Sequence, residues 1–323
     1  MFANNPAIRE TNRANLGEVL PLKSPFLVHI DPSDACNLQC KFCFHQHDRK
    51  EKGIMPMPLY RKIINGLASL GGVKEVCLYR SGEPLLNPNI VEMVRMAKTI
   101  APKVWIKTNG LLLTEKLAGE LADAGLTVLT ISIIAPDSKG YKDLTGKAVD
   151  YLWLRNKVMN IYNIVKGKTF LHVKMADAGF GAEGIAKFRS TFIDSDFTDV
   201  EYLHQPSAEV KEDFTLGQKP KVGTHGEVMI PKLVCPLLFY SLNFLRSGFV
   251  VVCSNDHMAD TYVGDMYKEG VGSIWCGERL KDLRLEHLTL NKQKNPACAK
   301  CTFDAMLPDN IDDIREELLG RYR

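Results

Sequence analysis

The 323-residue chain has no apolar stretch long enough to cross a bilayer, and its first ten residues, Met-Phe-Ala-Asn-Asn-Pro-Ala-Ile-Arg-Glu, hold no apolar core of signal-peptide length. It also lacks any block of like charge. Its 41 Lys and Arg face 38 Asp and Glu, for a net charge of +3, and the basic residues are spread along the sequence. That argues against a nucleic-acid partner and against a polybasic membrane anchor. Internal repeats, low-complexity tracts and long linkers are missing too. With 45% hydrophobic and 24% charged residues, what remains is a globular chain large enough for one big α/β unit and a smaller one. The expectation is a cytoplasmic protein with no membrane and no nucleic-acid partner. In that reducing compartment nine cysteines read as metal ligands or reactive thiols rather than disulfides.

Short β-branched or apolar runs alternate with longer helical patterns. Six runs read as strands: Phe26–Asp31, Glu75–Arg80, Val104–Thr108, Val128–Ile133, Thr169–Met175 and Asp199–Leu203. Helices are predicted near 57–70, 88–99, 114–124, 148–166 and 183–193, the third with Thr114 as N-cap and Gly125 as its stop. Strict alternation predicts right-handed βαβ units and a parallel sheet, long enough for an incomplete barrel. In such sheets ligands bind at the carboxyl ends of the strands.

Three cysteines, Cys36, Cys40 and Cys43, follow the first strand in the spacing C-x3-C-x2-C. Three thiolates around one centre are one ligand short of a closed site, which leaves a metal position free for a small molecule. A zinc loop that borrows a distant fourth ligand is the alternative. One βα unit later comes Arg80-Ser-Gly-Glu-Pro84, a tight exposed turn carrying one carboxylate. Further on, Cys235, Gly248 and Cys253 have the spacing C-x12-G-x4-C and precede Cys298-Ala-Lys-Cys301. Four thiolates close a site, and in isolation a zinc ribbon would suit them equally well.

Together these motifs resemble the radical S-adenosylmethionine (radical SAM) superfamily, with a twitch/SPASM-like auxiliary-cluster extension. The resemblance implies a partial (β/α)6 barrel over 25–210, preceded by an N-terminal extension over 1–24. A small auxiliary-cluster domain over 225–303 and a C-terminal tail over 304–323 follow. It implies a 4Fe-4S cluster on Cys36, Cys40 and Cys43 whose open iron chelates SAM. Ser81, Gly82, Glu83 and Pro84 stand where the family holds the SAM ammonium through backbone and carboxylate, with Ser81 in place of the usual glycine. Asn109 and Ser132 match positions that serve the SAM ribose and carboxylate. Phe44 stands where an aromatic packs on adenine, although shielding of the cluster is an equal reading. Cys235, Cys253, Cys298 and Cys301 would hold an auxiliary 4Fe-4S cluster, and the absence of cysteine beyond Cys301 argues against a second one. A reducing partner such as flavodoxin or ferredoxin is expected.

Period-two alternation gives a substrate argument from the residues themselves. Outward strand positions are apolar, whereas His29, Tyr79, Lys107, Asn109, Thr130, Ser132, His172, Lys174 and, from strand six, Glu201 project into the lumen. A packed barrel fills such places with branched apolar residues, so a polar lumen implies ligand and water. Lys174 and His172 are candidates for acid/base or anchoring roles, with Tyr79 beside them. Cys77 also points inward and reads either as a hydrogen-atom donor or as small buried packing. Cys276, in Ile274-Trp-Cys-Gly277, is a second candidate donor from the extension.

The expected function is hydrogen abstraction from a polar small substrate of sugar, aminocyclitol or nucleotide-sugar type, ending in dehydrogenation or epimerisation. Peptide modification is the alternative within the family, lowered because about 24 residues before the first strand are too few for a leader-binding domain. An electron carrier or a zinc-stabilised binding protein is the non-enzymatic alternative.

Overall fold

The computed structural model describes residues 15–44, 51–205 and 212–323. Residues 1–14 of the predicted N-terminal extension and 206–210 at the end of the predicted barrel lie outside the described residues. After a one-turn helix α1 (Leu16–Val19), strands and helices alternate: β1 (Leu27–Ile30), α2 (Met57–Ser69), β2 (Glu75–Cys77), α3 (Ile90–Lys98), β3 (Lys103–Thr108), α4 (Glu115–Asp123) and β4 (Val128–Ile133). The series goes on with α5 (Ser138–Thr145), α6 (Tyr151–Val165), β5 (Phe170–Asp177), α7 (Gly181–Thr191) and β6 (Phe197–Tyr202). All six strands are parallel, in the order they have along the chain. This is the incomplete barrel that the alternation implied.

Local chemistry explains the element ends. Thr114 Oγ1 accepts the Leu117 amide at 3.1 Å and caps α4, and Gly125 takes a φ of +96° to turn the chain out of it. Asp150 caps α6 in the same way, accepting from Leu152 and Trp153. The outward positions Val28, Ile30, Val76, Leu78, Val104, Ile106, Leu129, Ile131, Leu171 and Val173 are wholly buried under the helices. Each such side chain stabilises the fold by roughly 1.5–3 kcal/mol relative to exposure.

Two features were not foreseen. Helix α5, capped by Asp137, lies between β4 and α6. Its eight residues carry too short a periodic pattern to separate from loop, yet the Leu144 carbonyl accepts the Lys41 amide at 2.9 Å and so holds the cysteine loop. The second feature is the reach of the sheet. The C-terminal extension holds α8 (Leu237–Tyr240), β7 (Ser241–Phe244), β8 (Phe249–Val251), β9 (Tyr262–Asp265), α9 (Val271–Trp275), α10 (Glu278–Leu288), α11 (Pro296–Ala299) and α12 (Arg315–Tyr322). Strand β7 pairs in parallel with β1, and β8 and β9 follow antiparallel, so one nine-stranded sheet runs β6-β5-β4-β3-β2-β1-β7-β8-β9. Strand β1, which delivers the cysteine loop, therefore has a neighbour on each side.

Candidate active site and cluster sites

The cysteine loop is fixed by the turn after β2. The Gly82 amide donates to the Ser33 carbonyl at 3.1 Å, and the Glu83 amide to the Ala35 carbonyl at 2.7 Å. A Cβ on residue 82 would lie 2.2 Å from the Ala35 oxygen, so this close approach of two backbones requires glycine. Ser81 is bonded through its amide and hydroxyl to the two Asp31 oxygens, at 2.9 and 3.0 Å. Glu83 is nearly inaccessible. Its carboxylate accepts from Thr108 Oγ1 at 2.6 Å, the Asn109 amide at 2.8 Å and the Leu85 amide at 3.1 Å. Burial pushes this acid up and the three donors pull it back. The Glu83 carboxylate thus ties the turn to the end of β3. Asn109 then donates to Asn37 Oδ1 at 2.7 Å, inside the cysteine loop.

All nine cysteines are free thiols. Burial, then the neighbouring thiols Cys43 and Cys36, push the Cys40 thiol up to about 12, and burial raises Cys36 as well. Such mutual repulsion marks thiols gathered in one place, and a cationic metal centre reverses it by drawing off the protons.

The four cysteines of the extension, Cys235, Cys253, Cys298 and Cys301, line a single cavity of about 130 Å³. Burial, followed by Cys301, pushes Cys253 up to about 12, and burial with neighbouring thiols likewise raises Cys235 and Cys298. Among the described residues no three His, Cys, Asp or Glu side chains converge as they do on one metal ion. Four thiols around one cavity suit an iron–sulfur cluster and a zinc ion alike in ligand number. His287 and Lys292 line the same cavity, and Lys292 is held by Asp304 at 2.8 Å. Burial, with Lys292 nearby, pushes the His287 imidazole down to about 4.

A larger cavity of about 740 Å³ lies between the strand ends and the extension. His29, Cys77, Tyr79, Lys107, Lys174 and Glu201 line it, as the alternation predicted for the lumen. Lys174 Nζ donates to Glu201 Oε2, and Lys107 Nζ lies 3.4 Å from Glu201 Oε1 and 5.0 Å over the Tyr79 ring. Burial pulls the Lys174 ammonium down to about 8 against the attraction of Glu201. Burial raises Glu201, but Lys107 and Lys174 together outweigh it and hold the acid well below the usual carboxylate range. Cys77 Sγ donates to Glu75 Oε1 at 3.4 Å, and Lys103 lies 3.3 Å from the other oxygen of that carboxylate.

Other candidates fall elsewhere. His172 does not line the cavity. It is buried behind Thr130, whose Oγ1 is 3.3 Å from His172 Nδ1 and accepts from Trp105 Nε1 at 2.7 Å. Burial takes its imidazole down to about 3, which keeps it neutral. Trp105 fills the lumen in its place, because β3 continues its alternation one pair below Lys107. Cys276 is exposed at the end of α9, a helix that packs on α2, so the fold parts it from the cavity. Ser132 sits half-buried on β4 beside Lys174 in register, outside the cavity lining. Phe44 stacks on His257 with ring centroids 4.5 Å apart and lines the four-thiol cavity, joining the two cysteine sites.

Sequence reasoning gave no role to Arg80, although the quoted turn began with it, and missed the His225–Asp199 pair. His225 Nδ1 lies 2.6 Å from Asp199 Oδ2 at the cavity wall. His225 belongs to no motif, so nothing in the sequence marked it.

A family model described as the radical SAM superfamily matches residues 30–172, and one described as an iron–sulfur cluster-binding domain matches residues 235–302. A tungsten-containing aldehyde ferredoxin oxidoreductase cofactor-modifying protein of Pyrococcus furiosus is 33% identical over 106 residues, 33% of this chain and 30% of the relative. A GTP 3',8-cyclase of Synechococcus elongatus is 31% identical over 126 residues, 38% of each. The chain thus spans about a third of the length of the curated relatives it matches. Among solved structures, SuiB of Streptococcus suis bound to its precursor peptide SuiA has a TM-score of 0.66 at 16% identity, covering 93% of this chain and 74% of that one. BtrN in complex with AdoMet and 2-DOIA has a TM-score of 0.59 at 18% identity, covering 88% and 96%. These likenesses show a shared fold. With an open three-thiol loop at the end of β1 and a four-thiol site beside it, the chain carries a radical SAM domain over residues 30–172 and an iron–sulfur cluster-binding domain over residues 235–302, which imply a SAM-binding 4Fe-4S cluster, SAM and an auxiliary iron–sulfur centre.

Proposed function

We propose that this radical SAM enzyme removes a hydrogen atom from a polar small molecule of sugar, aminocyclitol or nucleotide-sugar type held in the large cavity. The observation that carries the reading is the Lys107–Glu201–Lys174 cluster with Tyr79 and His29 on the cavity wall, polar groups in places that a packed barrel fills with branched apolar side chains. When bound, the reduced first cluster and SAM supply a 5'-deoxyadenosyl radical, which takes the hydrogen atom. The chain's part is to orient the substrate and exclude water. Lys174 and Lys107 donate to substrate hydroxyl oxygens, and Glu201 accepts from a hydroxyl proton.

The placement of Cys77 favours epimerisation over dehydrogenation. Its thiol lines the cavity, and its hydrogen atom, directed at Glu75, passes to a substrate carbon radical once the S–H turns away from that carboxylate. The sulfur radical left behind needs one electron and one proton. A low-potential donor of the flavodoxin or ferredoxin class supplies the electron, and solvent water supplies the proton, relayed to the sulfur by Glu75. The experiment is incubation of anaerobically reconstituted, reduced protein with SAM and a panel of sugars, aminocyclitols and nucleotide sugars, following 5'-deoxyadenosine and product mass. Unchanged mass with one deuterium from deuterated water supports epimerisation, and a loss of two mass units supports dehydrogenation. No 5'-deoxyadenosine above the substrate-free rate with any of the panel, but stimulation by a peptide, would overturn the small-molecule reading.

A further inference from the structure

One buried group has no task in the chemistry above. His287, on α10, is 1% exposed, and its ring lines the cavity that Cys235, Cys253, Cys298 and Cys301 surround. Its Nδ1 accepts the backbone N–H of Cys235 at 3.4 Å. A ring nitrogen that accepts a hydrogen bond carries no hydrogen, so the neutral imidazole bears its hydrogen on Nε2. That Nε2 is buried and has no partner in the protein. A buried N–H left unpaired is destabilising, and such groups in native proteins have a partner that explains them.

We infer that His287 donates its Nε2–H to a sulfur of the auxiliary iron–sulfur centre and thereby raises that centre's reduction potential. The sulfurs of such a centre carry negative charge, which reduction increases, so a donor stabilises the reduced form more than the oxidised one. Two anchors keep the ring in place: the amide of Cys235, itself a ligand residue, and Arg284 one turn earlier, whose Nε donates to the Leu238 carbonyl at 2.9 Å. Among the backbone groups at the cavity, the Asn255 N–H donates to Cys253 Sγ at 3.3 Å. Lys292 is engaged with Asp304 and the Lys232 carbonyl, and His257 is stacked on Phe44. His287 is a positioning and tuning residue for a centre that has four cysteine ligands of its own.

The test uses the full chain with Cys36, Cys40 and Cys43 changed to alanine, so that the auxiliary centre is the sole paramagnet after reduction. Its midpoint is read by titration monitored by electron paramagnetic resonance in three proteins with matched iron content: this parent, His287→Phe and His287→Gln. Phenylalanine fills the space without a donor and is expected to lower the reduced-to-oxidised ratio at a fixed poise about tenfold, ~59 mV for one electron. Glutamine restores an acceptor for Cys235 and a donor for sulfur, and is expected to recover most of that loss. With 15N-histidine labelling, the reduced parent is expected to show a nitrogen coupling that His287→Phe abolishes and His257→Phe leaves intact. An unchanged midpoint in His287→Phe at full iron content overturns the inference, as does a labelled parent with no histidine coupling. If His287→Phe does not take up iron, the labelled parent and His257→Phe decide alone: a coupling that survives His257→Phe supports it, and one that is absent or is lost there overturns it.

Discussion

Arg80 lies 3.7 Å from Asp31, and both side chains are almost wholly buried, at 4% and 2% exposure. The same guanidinium donates to the carbonyl of Asp256, three residues beyond Cys253. Asp31 also accepts the Ser81 amide and hydroxyl. A single ion pair therefore joins the start of the cysteine loop, the turn after β2 and the loop that carries Cys253.

Replacing Arg80 by methionine leaves Asp31 buried without its counter-charge and removes the bond to Asp256. The expected cost is about 3–5 kcal/mol of stability, as for other buried pairs broken on one side. Denaturant unfolding of the apo chain measures it. Lysine is expected not to rescue, because a single ammonium lacks the guanidinium fork that serves Asp31 and Asp256 together.

Gly82→Ala drives a methyl group into the Ala35 carbonyl, at 2.2 Å in the present backbone. The cysteine loop must shift, so SAM cleavage is expected to fall at least tenfold, while the four-thiol site keeps its iron. Ser81→Gly, which loses one hydroxyl bond to Asp31, is expected to change cleavage by less than threefold. Iron assay and 5'-deoxyadenosine yield with dithionite distinguish the two.

Anaerobic protein is expected to hold about eight irons, two four-iron centres. Changing Cys36, Cys40 and Cys43 to alanine should remove about half of them and all SAM cleavage. Changing Cys235, Cys253, Cys298 and Cys301 should remove the other half. Zinc in stoichiometric amount at the second site after anaerobic purification would count against an iron–sulfur centre there.

Cys77→Ala and Cys276→Ala should part company. With a donor role for Cys77, deuterium from solvent enters one substrate carbon in the parent and in Cys276→Ala, and is lost in Cys77→Ala while SAM is still consumed. The reason is placement: one thiol opens on the cavity and the other is exposed on α9. Deuterium incorporation unchanged in Cys77→Ala excludes the role.

Lys174 gives a pH signature. It is charged below about 8 and neutral above, so a substrate hydroxyl that it binds as ammonium is expected to show a KM rising above that pH. Lys174→Arg, always charged, should flatten the rise. For stability the sign is the reverse of an ordinary salt bridge. Between about 8 and the ordinary lysine value of 10.5 the unfolded chain binds the proton that the folded chain has lost, so this group's contribution to stability increases with pH. Comparison of denaturation midpoints for the parent and Lys174→Met at pH 7 and 9.5 checks that sign.

The sequence by itself determined the six barrel strands, their parallel sheet and the grouping of the cysteines, because these are local or periodic properties. Alternation in Val128–Ile133 and the cap at Thr114 need nothing beyond neighbouring residues. A C-x3-C-x2-C loop is likewise legible, since its three thiols come from one short stretch of chain. Tertiary structure decided what depends on approach between distant segments. Strand β7 joining β1, Arg80 reaching Asp256, and His287 reaching Cys235 across 52 positions all follow from packing that no local pattern records. It also decided between residues of equal promise. His172 and Lys174 share one face of β5, yet the bulk of Trp105 and its bond to Thr130 close off the first, while the attraction of Glu201 keeps the second on the cavity. Periodicity assigns a side chain to a face of the sheet, and the volume and charge of its neighbours across the sheet settle whether it meets the ligand.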